Sequence, residues 1–145
     1  MRKILFQDNH IHSTYSDGQK TIREILEYNN IHDKLDITLT DHVDKKTNWL
    51  DKYKREIEKF RKEYTNFSIS IGCEVKILDN GKLNTTKKIL DSVEVVLGSV
   101  HYFENIKSLA PRELLDREYE LTKKLAANKD IQILSGIKRQ NLSRI

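Results

Sequence analysis

The chain has one cysteine and one proline in 145 residues, and no hydrophobic run long enough to span a bilayer. A single cysteine excludes a disulfide framework and fits a reducing, cytoplasmic compartment. A single proline excludes a Pro-rich linker. A spanning helix needs roughly 20 apolar residues, and Met1-Arg2-Lys3 leads into only a short apolar stretch. Both a membrane protein and a secreted precursor are therefore disfavoured. Most of the chain also lacks an excess of either charge. The formal charge is +4, but 132–145 holds Lys138, Arg139 and Arg144 with no acid, leaving 23 basic and 22 acidic groups in the rest. So balanced a body argues against nucleic acid as a partner, because phosphate contacts need Lys and Arg to displace counterions. With 37% hydrophobic and 33% charged residues, what remains is a globular domain.

Periodicity organises that domain as strands alternating with helices. Strands are expected at Ile4–Asn9, Asp36–Thr40, Ser68–Leu78, Val93–Val100 and Ile131–Leu134, the third ended by an Asp79-Asn80-Gly81 turn. Ile22, Ile25, Leu26 and Asn29 share a helical face behind Thr21, with Glu24 completing a capping box. Leu50, Tyr53, Ile57, Phe60 and Tyr64 make the longest amphipathic helix, behind Thr47. A brief helix fits Thr85–Leu90, and Pro111 opens another whose stripe is Leu114, Leu121 and Leu125. This order implies an α/β fold with a parallel sheet and right-handed crossovers. No Gly-rich phosphate fingerprint follows the first strand, which weakens a dinucleotide-binding sheet. A complete (β/α)₈ barrel uses ~250 residues, so this length holds four to five βα units of an incomplete barrel.

His10, His12, Asp17, Asp41, His42, Glu74 and His101 all fall at or just past strand ends. The steps His10 to His42 (32), His42 to Glu74 (32) and Glu74 to His101 (27) each match one βα unit. Successive parallel strands thus deliver one metal-ligand type each to one rim, where α/β active sites sit. His10 and His12 are two apart, so both imidazoles project to one side of an extended backbone. Asp8 lies on that side too and is a candidate to orient one of them. Glu74 is the sharpest feature: a carboxylate inside the apolar run ISIGCEVKIL is costly unless paired or metal-bound. Gly98 and Ser99, before His101, would let a ligand approach the backbone closely. Taken singly, an H-x-H, a Ser-Asp-Gly turn or an Asp-His pair that caps a helix is commonplace. Together they outweigh coincidence. Cys73 reads as a buried small hydrophobe, and His32 as a surface residue at a helix C-terminus.

DNHIHSTYSDG, then TDH, GCE and GSVH, resembles in order and spacing the first motifs of the polymerase-and-histidinol-phosphatase (PHP) family. The resemblance runs from Asp8 to about Leu134. It implies a distorted (β/α)₇ TIM-like barrel that binds two or three divalent cations (zinc, manganese or iron) and hydrolyses a small phosphorylated substrate. Metal-bound hydroxide would attack phosphorus, with a histidinol-phosphatase-like phosphomonoesterase the natural specific expectation. By motif position His10 and His12 would hold one metal, Glu74 would bridge it to a second that His101 also binds, and Asp17 and His42 would serve a third. Asp17, His42, Glu74 and His101 would then act in catalysis through those metals.

The pattern departs from the family at its end. A His-Pro pair should follow the last strand, but Ser135-Gly136-Ile137 stands there, and the family's late Asp and His have no counterpart before Ile145. The expectation is thus 1–134 as the N-terminal part of a PHP-like hydrolase and 135–145 as an aberrant basic tail, through truncation, fragmentation or a shifted reading frame. Competing readings are an impaired remnant that still binds metal and a PHP-type nuclease. An opened barrel is also expected to self-associate through its unpaired edge.

Overall fold

The computed structural model of the chain describes residues 6–101 and 109–135. Its elements are β1 (Gln7–Ile11), α1 (Ile22–Ile31), β2 (Asp36–Leu39), β3 (His42–Val43), α2 (Leu50–Glu63), β4 (Ile69–Lys76), α3 (Lys87–Leu90), β5 (Val95–Ser99), α4 (Pro111–Ala126) and β6 (Ile133–Leu134). The strands run parallel in the order β1-β2-β4-β5-β6, with β3 also paired to β4. This is a sheet curled as half a barrel, an incomplete TIM-like barrel. Among the described residues no helix is long and apolar enough to cross a membrane.

Local chemistry explains most of the boundaries. The Thr21 hydroxyl accepts from the Glu24 amide, and the Glu24 carboxylate accepts from the Thr21 amide at 2.8 Å, so α1 begins with the expected capping box. In α2, Leu50, Tyr53, Ile57 and Phe60 recur at spacings of three and four, and all four are buried against the sheet. Burial of each such side chain contributes roughly 1.5–3 kcal/mol. Thr47, however, does not cap this helix. Its hydroxyl accepts from the Asp44 amide in a turn, and the helix starts two residues later, behind Trp49. Tyr64 likewise falls just outside, as the C-cap. Pro111 opens α4 as expected, and Leu121 and Leu125 are its buried stripe.

Two departures from the expected strands shape the rim. The second strand is interrupted at Thr40-Asp41 and resumes as β3, where His42 pairs with Glu74 in the register that Leu39 and Ile71 set before the break. β1 carries a bulge: Asp8 pairs with Ile37 but Ile11 pairs with Leu39, three steps against two. Such an insertion bends a strand and re-aims its side chains. The start expected for β1 at Ile4, the family departure at Gly136 and most of the basic tail lie outside the described residues.

Candidate metal centre

The C-terminal rim of the sheet brings together all six expected metal ligands, His10, His12, Asp17, His42, Glu74 and His101. Glu74 is on β4, the most centrally paired strand, and its side chain is 1% exposed. Its Oε2 lies 2.9 Å from His10 Nε2 and 2.8 Å from His12 Nε2, and those two nitrogens are 3.1 Å apart. Its Oε1 lies 2.9 Å from His101 Nε2, delivered by the end of β5. His42 Nδ1, from β3, stands 3.6 Å from Oε2. One buried carboxylate is thus ringed by four imidazoles.

Two imidazole nitrogens converging on one another and on one oxygen cannot all be satisfied by the hydrogens they carry, since a neutral imidazole has a single N–H. A cation satisfies them together. Ligand atoms about 2.1 Å from a metal lie about 3.0 Å apart in an octahedron and about 3.4 Å apart in a tetrahedron. The 2.8, 2.9 and 3.1 Å edges of the His10–His12–Glu74 triangle approach that spacing. Two further groups have ligand atoms within 4.8 Å of one another: His12, Asp17 and His42, and His42, Glu74 and His101. Mixed imidazole and carboxylate donors suit zinc, manganese or iron.

Asp17 reaches the ring from the loop after β1. Its Oδ1 is 2.7 Å from His12 Nδ1, and its Oδ2 is 3.4 Å from His42 Nε2. A neutral His12 has one lone pair, so it serves the first group through Nε2 or the second through Nδ1, not both. With Nε2 in the first group, the Nδ1 hydrogen is donated to Asp17, the carboxylate–histidine pairing common beside metals. Asp17 then keeps Oδ2 for the group it shares with His42. At 57% exposure Asp17 is the open side of the ring.

The charges agree with this layout. Burial by itself raises the Glu74 carboxyl, but hydrogen bonds from His101, His12 and Ser99 and the nearby His42 hold it far below the usual carboxylate range. Burial lowers the His12 imidazole, yet the hydrogen bonds to Glu74 and Asp17 outweigh it and the net shift is upward. Asp17 is lowered: slight burial opposes, and His12 and His42 prevail. His42 is lowered chiefly by burial. Because a ligating imidazole must be neutral, a proton competes with any cation at His12, and the competition begins above the ordinary 6.5. Divalent-cation affinity is therefore expected to fall as pH drops from 8 to 6, with proton release on binding. Calorimetric titration in buffers of different ionisation enthalpy checks it.

Several neighbouring expectations need correction. The Asp8 carboxylate accepts from the backbone amide of His10 at 3.1 Å and orients the strand, not an imidazole. Gly98 is small for a different reason than ligand approach: a Cβ there would lie 2.9 Å from Leu125 Cδ2 and 3.1 Å from two Ile131 carbons, so it admits α4 and the chain after it. Ser99, on the opposite face by strand alternation, is the one beside Glu74. Cys73 is wholly buried in the core, its thiol pushed up to about 12 by burial, and is inert as expected. His32 caps the end of α1, its ring tilted against that of Tyr28. Asp41, named in the sequence among the rim residues but given no role there, is wholly buried and accepts three hydrogen bonds from the loop carrying Asp17. An acid closing a β-branched strand was the available signal.

Comparison with known proteins decides the family. Residues 8–138 match the PHP domain. The chain belongs to the PHP domain family. PHP domains bind divalent metals and are in general hydrolytic, in keeping with the donor groups on this rim. This PHP domain is also similar to the DNA polymerase/3'-5' exonuclease PolX of Bacillus subtilis (strain 168), 34% identical over 101 residues, which are 65% of this chain and 18% of that protein. The chain thus spans less than a fifth of that relative's length.

Proposed function

We propose that this PHP domain hydrolyses phosphoesters, with divalent cations held by His10, His12, Asp17, His42, Glu74 and His101. One observation carries the reading: three strands deliver four imidazoles around a single buried carboxylate on a fourth, at 2.8–2.9 Å for three of them. Bound there, cations supply phosphate charge neutralisation and a more acidic attacking water. The chain's own residues do the rest. Glu74 contributes a fixed negative charge whose burial keeps it undiluted by solvent. His12 is locked in one ring orientation by Asp17. His10, 41% exposed, and Asp17 form the mouth through which a phosphoryl group enters.

The specific substrate proposed is a phosphomonoester of the histidinol-phosphate kind, supported by the balanced charge of residues 1–131. A second reading is favoured by the relative's exonuclease: cleavage at the end of a nucleic-acid strand. The exposed Lys45 and Lys46, just after His42, fit a neighbouring phosphate in that case. Manganese- or zinc-loaded protein assayed on p-nitrophenyl phosphate, histidinol phosphate and a 3'-labelled single-stranded oligonucleotide separates them. Monoester turnover is the expected result. Oligonucleotide cleavage alone would transfer the proposal to the second reading, and no hydrolysis of any of the three would contradict both.

A further inference from the structure

We infer that Asp41 is a positioning residue that assembles the second cation group, Asp17 with His42, without touching a cation itself. The inference rests on the phosphoesterase reading of the rim and gives a role to a residue that the metal-ligand assignment leaves without one. Asp41 sits in the two-residue gap between β2 and β3, the only break in the strand that carries His42, and is wholly buried. Its carboxylate accepts three hydrogen bonds from the loop after β1. Oδ1 accepts from the Ser13 amide at 2.9 Å and the Ser16 hydroxyl at 2.7 Å, and Oδ2 accepts from the Ser13 hydroxyl at 2.8 Å. The Ser13 hydroxyl in turn accepts from the Tyr15 amide, so the turn is tied at Ser13, Tyr15 and Ser16.

The backbone of the same residue acts on the other side. The Asp41 carbonyl accepts from the Glu74 amide at 3.0 Å, continuing the β2–β4 ladder across the gap and into β3. One residue thus fixes three ligand-bearing segments: His42 as its chain neighbour, Glu74 through its carbonyl, and Asp17 through the serines of the loop. Its three donors, one backbone amide and two serine hydroxyls, are all neutral. Asp17 itself has no buried anchor, being more than half exposed, and its reach to His12 and His42 depends on where the loop is held. A buried carboxylate with three donors is a strong tether, and cutting it leaves the buried Ser13 amide unsatisfied as well.

The test compares wild type with Asp41→Ala and Asp41→Asn. Manganese binding is followed by calorimetry, and backbone exchange is followed by mass spectrometry over 12–18 and, as reference, 69–76. The alanine variant is expected to lose the weaker class of bound cation, keep the tighter class within a few-fold, and exchange at least tenfold faster over 12–18 only. The asparagine variant, which can still accept from the Ser13 amide, is expected to recover both. If Asp41→Ala does not fold, the Ser13→Ala/Ser16→Ala double variant is read in its place with the same expectations. Unchanged cation stoichiometry and unchanged exchange over 12–18 would overturn the inference while leaving phosphoester hydrolysis by wild type intact. A wild type that binds no manganese would overturn the functional reading together with it.

Discussion

Glu74→Gln is expected to abolish hydrolysis and to remove at least one bound cation per chain. Glu74 belongs to two of the three candidate metal groups and its oxygens lie within 2.9 Å of three imidazole nitrogens, so its charge cannot be replaced from elsewhere on the rim. Cations contribute several kcal/mol of charge stabilisation to a phosphoryl transition state. At 1.36 kcal/mol per factor of ten, losing about 4 kcal/mol lowers the rate by roughly 10³. Glutamine keeps the shape and can still accept one hydrogen bond and donate another, so the fold should persist. Elemental analysis and turnover of p-nitrophenyl phosphate on the same preparation check it. Unchanged stoichiometry would remove Glu74 from its bridging role.

Gly18→Ala is the second large effect, through the backbone. A Cβ at residue 18 would lie 2.2 Å from the His12 carbonyl oxygen, 2.4 Å from its carbon and 2.7 Å from the Ser13 nitrogen. None of these is a flexible side-chain tip. The loop folds back on the peptide that joins His12 to Ser13, with the Gly18 amide donating to the Ser13 carbonyl at 3.0 Å, and only glycine leaves room for that. Any side chain must push Asp17 away from His12 and His42. Overpacking of this kind costs roughly 1–3 kcal/mol, and a 1 Å misplacement of a site residue costs about 10²-fold in rate. Urea unfolding and the same turnover assay are expected to show both losses. Wild-type stability and rate in Gly18→Ala would mean that the loop adopts another path.

Much of this was legible in the sequence because strand and ligand signals coincide. Four successive strand regions each carry a histidine or acid at or near the C-terminal end, and a period of about 30 residues brings them to one rim. Glu74 could be singled out because a carboxylate amid Ile69, Ile71, Cys73 and Val75 has no other cheap explanation. What escaped is what pairing decides. The β1 bulge depends on the register against β2, and the resumption of pairing at His42 depends on β4 continuing beyond Glu74. Thr47 carries an N-cap's chemistry, but the Asp44 turn uses its hydroxyl first. Gly98 carries the signature of close approach, and the approaching partner is Leu125 of α4, from 27 residues downstream. Asp41 was visible as an acid beside a histidine. Its three serine-loop donors come from residues 25 to 28 positions upstream, which no local pattern announces.

The central claim, that the Glu74 ring is a metal centre, is tested most directly by diffraction from manganese-soaked crystals at the manganese absorption edge. The account predicts at least two anomalous peaks flanking the Glu74 carboxylate, one within bonding distance of His10 and His12 and one within bonding distance of His101. A well-ordered ring with no anomalous peak, or peaks only at sites remote from Glu74, would contradict it.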